Sequence, residues 1–166
     1  GSGGVYYSLN LVGWGMATDI SIVAEKLRVL GGQRYNIASV IEIIRNKKRP
    51  ATLIIDDVET TNDFCFIIAC NTKYVGKGMK MAPEAVIDDG LMDLIVVKQN
   101  SRSTLLSVFP KLFNGEHISH PACKYLKCRT FSIRSEQNDP LNIDGEIIGC
   151  APVDVELVEN GIELLV

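Results

Sequence analysis

The second half of this sequence is a series of short apolar segments separated by turn-forming residues. The segments occupy residues 125–134, 141–143, 146–148, 153–158 and 162–166. Asn138-Asp139-Pro140, Asp144-Gly145 and Asn160-Gly161 lie between segments, and residues of these types are typical of tight turns and hairpins. A chain that turns this often is built mainly from strands, so the fold is predicted to be mostly β.

The first half adds further strands, which we expect at residues 5–12, 51–56, 64–70 and 91–98. Gly13-Trp14-Gly15 is predicted to break the first of them, as a tight turn or as backbone that approaches another group closely.

Three helices interrupt the strands. The first is predicted to begin at Thr18 or Asp19 as its N-cap and to end at Gly31-Gly32, with a buried face of Ile20, Val23, Ala24, Leu27 and Leu30. The second runs from about residue 36 until Pro50 stops it, with Ile37, Val40, Ile41 and Ile44 predicted to face inward. The third covers residues 101–114 and bends at Pro110. The predicted fold class is mostly β (α+β), a β-sandwich with helical insertions near the start and in the middle.

Size and composition are those of one globular domain. The chain has 166 residues, of which 46% are hydrophobic and 22% charged, and its net charge of −3 excludes a global positive field that would recruit nucleic acid. We expect one domain over residues 5–166, with residues 1–4 as a linker remnant. Cys65 and Cys70 lie in an apolar run and are predicted to be buried hydrophobes, which is consistent with a reducing compartment.

Charged residues surround the end of the first helix. Arg28 and Arg34 are suited to phosphate, because a guanidinium group binds two oxygens at once and keeps its charge. The alternative is a solvated helix face with intrahelical ion pairs, and the residues alone favour it.

A second cluster contains Asp88, Asp89 and Asp93 around Gly90. Carboxylate and carbonyl oxygens in such a turn are ligands for a hard cation. A plain Asp-Gly turn that leads into the next strand explains the pattern equally well.

The third cluster is Asn142-Ile143-Asp144-Gly145-Glu146, in which Asp144-Gly145 separates two apolar segments. Asp-Gly in this setting is a strong hairpin signal. The functional interpretation is a pair of carboxylates at a hairpin tip, one accepting a proton and one near a metal or a phosphate.

The order of these clusters resembles a family of lipid kinases. The segments Trp14-Gly15-Met16-Ala17-Thr18-Asp19 and Glu25-Lys26-Leu27-Arg28-Val29-Leu30-Gly31-Gly32-Gln33-Arg34-Tyr35 are similar to the WG-x-x-x-D and EK-x-R-x-LG-x-x-R-[FY] segments of sphingosine and ceramide kinases. Ala82-Pro83, Asp88 to Asp93 and Asp144-Gly145-Glu146 are similar to the AP…DDGxxD and DGE motifs of the wider diacylglycerol kinase superfamily. The resemblance extends from Tyr6 to Val166.

The resemblance implies a two-domain enzyme of which this chain is the C-terminal β-sandwich domain. That domain supplies the lipid pocket and closes one side of the ATP cleft. The N-terminal domain with its GGDGT-type nucleotide loop is absent from this chain, so we expect this part alone to be inactive.

The resemblance also assigns roles near the nucleotide. Arg28 and Arg34 correspond to arginines near the phosphates of ATP. Asp144 and Glu146 correspond to the DGE pair near phosphate and Mg²⁺. Asp144 is the predicted general base unless an aspartate of the absent domain fills that role.

A structural Mg²⁺ is implied at the second cluster. Its predicted ligands are the carboxylate of Asp89 and the carbonyls of Val86 and Leu91. The predicted cofactors are therefore ATP and Mg²⁺.

The lipid-binding prediction comprises Trp14, Asp19 and Ser21. Sphingosine kinases read D-[VI]-D where this chain reads Asp19-Ile20-Ser21, and Ser21 has no charge to pair with an ammonium group. This departure leaves room for ceramide, diacylglycerol or another lipid with a neutral head.

The predicted function is ATP-dependent phosphorylation of a primary hydroxyl on a sphingoid base or similar membrane-derived lipid. The expected setting is cytoplasmic with peripheral membrane contact, since no apolar run is long enough to cross a bilayer. The alternative is a non-catalytic lipid-binding or scaffolding module.

Overall fold

The computed structural model describes residues 4–76 and 78–161. Its strands are β1 (Leu11–Gly15), β2 (Arg49–Ile55), β3 (Val58–Cys70), β4 (Met92–Lys98), β5 (Cys123–Cys128), β6 (Thr130–Arg134), β7 (Pro140–Ile143), β8 (Glu146–Cys150) and β9 (Val153–Glu156). Its α-helices are α1 (Met16–Lys26), α2 (Arg34–Arg45) and α3 (Arg102–Val108), and 3-10 helices cover Arg28–Gln33, Phe109–Leu112 and Glu116–Ser119. The strand predicted at 162–166 lies outside the described residues.

The strands form one antiparallel sheet with the long strand β3 at its centre. The main strand order is β8-β7-β1-β3-β2-β6-β9, and β4 pairs with β3 and β5. The first part of β3 pairs with β2, and its last part lies between β1 and β4. A register shift between Phe64 and Phe66 marks the change of partner. The sheet curls as a result, and the predicted mostly β fold is confirmed.

Side chains alternate between two cores on opposite faces of this sheet. Along β4, Met92, Leu94 and Val96 belong to one core, while Ile95 and Val97 belong to the other. The second core also receives side chains from the helices, namely Met16, Ile43, Leu105 and Leu112. The helical insertions therefore cover one face of the sheet. Cys65 and Cys70 are buried there as predicted, and burial raises the pKa of each thiol to about 12.

The prediction for the first strand is wrong. Instead of covering residues 5–12 and breaking at Gly13, β1 begins at Leu11 and includes both glycines. Trp14 is 1% exposed and belongs to the first core. Gly15 has φ +84°, and a Cβ there would lie 2.6 Å from the carbonyl oxygen of Cys65. The glycine therefore permits the close approach of β1 to β3, which is the second of the two predicted roles.

The bounds of the first helix also differ from the prediction. Helix α1 begins at Met16 without a side-chain cap and ends at Lys26. Thr18, a predicted cap, is buried, and its hydroxyl donates a hydrogen bond to the carbonyl of Gly13 at 3.1 Å. The segment from Arg28 to Gln33 consists of 3-10 turns on either side of a kink at Gly31, whose positive φ no right-handed helix accommodates.

Helix α2 packs through a face that the apolar spacing did not predict. Its buried residues are Ala38, Ser39, Glu42 and Ile43. Ile37, Val40 and Ile44, predicted to face inward, are 39%, 43% and 59% exposed. Small side chains at 38 and 39 let the helix approach its neighbours, which leaves an apolar stripe on the surface.

Among the helices of residues 4–76 and 78–161, none has the length and apolar character that a membrane span requires.

Candidate functional site

The Asp144-Gly145 turn joins β7 to β8 as predicted. Ile143 and Glu146 pair across the hairpin, and both turn residues have positive φ, +51° and +97°. Two positive φ values in succession characterise a type I′ turn, which Asp-Gly favours. The hairpin tip is adjacent to the start of β1, since the Asp144 N–H donates to the carbonyl of Leu11 at 3.0 Å.

The Asp144 carboxylate binds the chain segment that leads into β1. Its Oδ1 accepts hydrogen bonds from the Ser8 hydroxyl at 2.8 Å and from the backbone N–H groups of Asn10 and Leu11 at 2.9 and 2.8 Å. Its Oδ2 accepts from the Leu9 N–H at 2.7 Å. Partial burial opposes ionisation, but these donors outweigh it and lower the pKa of Asp144 below its ordinary value. The side chain is therefore ionised at neutral pH.

Asn142 connects this turn to helix α1. Its Nδ2 donates to the Ser21 hydroxyl at 3.0 Å, and its Oδ1 accepts from the Gly145 N–H at 2.8 Å. The Ser21 hydroxyl in turn donates to the carbonyl of Ala17 at 3.2 Å. The structure thus brings the predicted lipid-binding position 21 next to the predicted catalytic turn. Asn142 belongs to the third sequence cluster, but no role was predicted for it, although a polar residue between Leu141 and Ile143 on a short apolar strand is a usable signal.

Glu146 is exposed at the start of β8. Within residues 4–76 and 78–161 its carboxylate makes no hydrogen bond or ion pair, so it is available to an incoming group. In this respect it differs from Asp144, whose two oxygens already have partners.

Arg28 and Arg34 meet at Glu25. The Glu25 carboxylate pairs with Arg28, and its Oε2 lies 3.9 Å from Nη1 of Arg34. Arg28 is 73% exposed, whereas Arg34 lies over the Tyr35 ring with a buried Nε that has no partner among the described residues. The two guanidinium groups are therefore close enough to bind one anion, which would compete with Glu25. The Glu25–Arg28 pair is equally the contact expected of a solvated helix face.

Asp19 and Trp14 have other partners. Asp19 forms an ion pair with the buried Arg49, whose Nε lies 3.6 Å from Asp139 Oδ1. Lys47 also binds that Asp139 oxygen, at 2.6 Å. Trp14 lies in the core, so contact between its ring and a lipid would require the core to open. Of the three residues predicted to bind lipid, Ser21 is the one that the structure places beside the Asp144-Gly145 turn.

The predicted metal ligands lie around Gly90. Asp89 accepts a hydrogen bond from the Leu91 N–H at 3.0 Å on Oδ1 and from the Lys127 ammonium at 2.5 Å on Oδ2. The Val86 carbonyl accepts from the Asp89 N–H at 3.4 Å. In the described part of the chain no group of three or more His, Cys, Asp or Glu side chains is arranged to hold a metal ion.

Comparisons with known proteins identify the family of this domain. Residues 10–166 match the family model described as the YegS C-terminal NAD kinase beta sandwich-like domain. The chain is 28% identical over 138 residues to a diacylglycerol kinase of Mycobacterium tuberculosis, covering 81% of this chain and 44% of that protein. It is 26% identical over 190 residues to sphingosine kinase 1 of Arabidopsis thaliana, covering 86% and 39%.

A solved structure shows the same fold. It is a diacylglycerol kinase from Bacillus anthracis, with a TM-score of 0.69 and 21% identity, and the match covers 92% of this chain and 50% of that one. The chain spans less than half the length of these two curated relatives. The resemblance seen in the sequence motifs is confirmed at the level of the family: this chain belongs to the YegS-type C-terminal β-sandwich domains of the diacylglycerol and related lipid kinases.

Proposed function

We propose that the full-length protein transfers the γ-phosphoryl group of ATP to a primary hydroxyl of a sphingoid base or a similar lipid. The observation that carries this proposal is the Asn142 bridge, because it links position 21 on α1 to the Asp144-Gly145 turn. A lipid hydroxyl near Ser21 and a phosphate near Glu146 would then lie on the same side of this domain. An N-terminal domain of the same protein would supply the nucleotide loop.

The chemistry assigned to this chain is positioning and charge neutralisation, as in other phosphoryl transfers. Arg28 and Arg34 would bind the phosphates of the nucleotide. Asp144 is a poor general base, because a base works best with a pKa near the operating pH and the pKa of Asp144 is lowered. Its role would be to fix the turn that presents Glu146, leaving the base to the N-terminal domain. Glu146 is the residue that would hold Mg²⁺ bound with the nucleotide, an ion that offsets phosphate charge.

Peripheral membrane contact is supported by the surface of α2. Ile37, Val40 and Ile44 form an exposed apolar stripe on this helix, and the cationic side chains of Arg45 and Lys48 are exposed at its end. An apolar stripe flanked by cations fits an anionic lipid surface. We therefore propose that the protein works at the cytoplasmic face of a membrane.

The test is a competition assay with the full-length protein, γ-labelled ATP, and sphingosine, ceramide and diacylglycerol in mixed micelles. Ser21→Asp adds a carboxylate where sphingosine would present its ammonium, and a charge-assisted hydrogen bond is worth roughly 1.5–3 kcal/mol. The ratio of sphingosine phosphorylation to neutral-lipid phosphorylation should be at least about tenfold higher for this variant than for wild type. The matched control is Ser103→Asp on the exposed face of α3. Equal lipid ratios in all three proteins would show that residue 21 does not contact the head group.

A lipid-binding module without kinase activity is the second candidate. It is favoured by the number of charged groups with structural partners, since Asp144 binds the segment before β1 and Asp19 pairs with Arg49. Vesicle binding by the full-length protein without transfer of label to any of these lipids would establish that candidate instead.

A further inference from the structure

The turn around Gly90 is attached to strand β5 by a short chain of hydrogen bonds. The Glu84 N–H donates to the Tyr125 hydroxyl at 3.3 Å, and that hydroxyl donates to Asp93 Oδ1 at 2.5 Å. Asp93 is the second residue of β4 and is 0% exposed. A buried carboxylate needs compensation, because burial disfavours its charged form. Burial accordingly raises the pKa of Asp93, although the hydrogen bond from Tyr125 opposes the shift.

Lys127 supplies positive charge at this point. It lies directly opposite Asp93 in the pairing of β4 with β5, so both side chains extend from the same face of the sheet. Its ammonium binds Asp89 Oδ2 at 2.5 Å. This contact lowers the pKa of Asp89 and raises the pKa of Lys127, as expected when each favours the charged form of the other.

The same groups do not fit a divalent cation. Mg²⁺ requires near-octahedral oxygen coordination, and the carboxylate predicted to bind it already accepts hydrogen bonds from Lys127 and from the Leu91 N–H. A metal ion on Asp89 would have to displace the ammonium or share the carboxylate with it, and the two cations would repel each other. A cation would instead neutralise Asp93 Oδ2, which is buried and has no hydrogen-bond partner among the residues that the structure describes. Lys127 already places a positive charge on the face of the sheet where Asp93 lies.

We propose that the Lys127 ammonium is the counter-ion of the turn formed by residues 86–93. In this protein the ammonium neutralises the carboxylates of the turn, which is the function that the family resemblance assigned to a structural Mg²⁺. The turn, and with it the loop from Ala82, folds against β5 without a divalent ion.

The experiment is thermal unfolding of the 166-residue chain in EDTA, in millimolar Mg²⁺ and in millimolar Ca²⁺. Wild type should show the same Tm in all three solutions to within about 1 °C, a small shift for a domain of this size. Lys127→Met keeps the length of the side chain and removes its charge, which leaves two carboxylates without a counter-ion. Its Tm in EDTA should fall by at least about 3 °C, and either divalent ion should raise it again.

Two further variants isolate the contact. Lys124 lies on the same strand and its side chain is exposed, so the variant Lys124→Met should have the Tm of wild type. Asp89→Asn combined with Lys127→Met should be no less stable than Lys127→Met alone, because the two groups stabilise each other. The proposal is overturned by a wild-type Tm that rises several degrees with Mg²⁺ or Ca²⁺, a measurement that needs no variant to fold. It is equally overturned by a Lys127→Met Tm equal to that of Lys124→Met.

Discussion

Asp144 shows how a single residue can combine a recognisable motif with an unexpected local role. From the sequence, its position before Gly145 predicts a hairpin turn, and the structure confirms that turn. The groups that donate hydrogen bonds to its carboxylate belong to residues 8–11. These residues are far away in the chain: Leu11, for example, is separated from Asp144 by 133 positions. A one-dimensional pattern contains no information about such partners, so the lowered pKa could not be predicted.

The low pKa of Asp144 makes its contribution to stability depend on pH. A carboxyl with a folded-state pKa below its unfolded value stabilises the protein above the unfolded pKa of about 3.9 and loses that effect as the pH falls through the folded pKa. Asp144→Asn should therefore lower the free energy of unfolding by about 1 kcal/mol at pH 7. The difference from wild type should shrink below about pH 4.

The measurement is urea denaturation across this pH range. Asp57→Asn is a matched control, since Asp57 also has a positive φ in a two-residue hairpin turn and is exposed. A gap between Asp144→Asn and wild type that stays constant down to pH 2 would show that the carboxylate charge is not what binds the segment before β1.

Arg28 and Arg34 can be tested by substitutions that keep their charge. Arg28→Lys and Arg34→Lys keep the charge but lose the planar fork that binds two phosphate oxygens. Each should raise the KM for ATP of the full-length protein by about tenfold or more while changing the KM for lipid little. Arg129→Lys, which replaces another exposed arginine paired with a glutamate, is the control. An unchanged KM for ATP in both test variants would identify the pair as part of a solvated helix face.

Among the secondary-structure elements, the strands of the second half were the most predictable, whereas the buried face of α2 was not predicted by its apolar spacing. Alternating apolar residues in the second half located β7, β8 and β9 to within a few residues, because the period of a strand is short and turn residues bound it. The predicted strand at 125–134 is divided at Arg129 into β5 and β6, which pair with different partners. In α2 apolar residues lie on more than one face, so periodicity alone does not say which face is buried.

Gly15 is the glycine on which the junction of β1 and α1 depends. Gly15→Ala places a Cβ against the Cys65 carbonyl at a backbone conformation that residues with side chains rarely adopt. We expect a loss of at least about 2 kcal/mol in the free energy of unfolding, measured by urea denaturation. Gly32→Ala is the control, since no atom lies within 4 Å of the Cβ it would add. Similar stabilities for the two variants would mean that β1 does not approach β3 this closely.

The apolar stripe of α2 should bind lipid if the proposed membrane contact is correct. Val40→Gln and Ile44→Gln replace exposed side chains, so stability should change by less than about 0.5 kcal/mol. Binding to anionic vesicles should weaken by about threefold or more for each variant, measured by co-sedimentation of the full-length protein. Val58→Gln, at an exposed apolar position in the β2–β3 hairpin, should bind as wild type. Equal binding by all of these variants would remove α2 from the membrane contact.

At the scale of the whole molecule, three of the predicted site residues lie close together. The Asp144-Gly145 turn, position 21 and Glu146, whose carboxylate has no partner within the described residues, lie together at one end of β7 and β8. Arg28 and Arg34 extend from the segment between α1 and α2. The sequence motifs identified these residues individually. Their positions relative to one another depend on the curled sheet that brings β7 beside β1.

The proposed kinase chemistry is tested most directly by substituting Glu146→Gln in the full-length protein. The quantity measured is the kcat for transfer of labelled phosphate from ATP to lipid. Glu146 has no partner among the described residues, so the substitution should leave the Tm unchanged and report on chemistry alone. We predict that kcat falls by at least about a hundredfold. Glu156 is another exposed glutamate on a strand, and Glu156→Gln should keep a kcat close to that of wild type. A wild-type kcat in Glu146→Gln would contradict the claim that this hairpin faces the transferred phosphate.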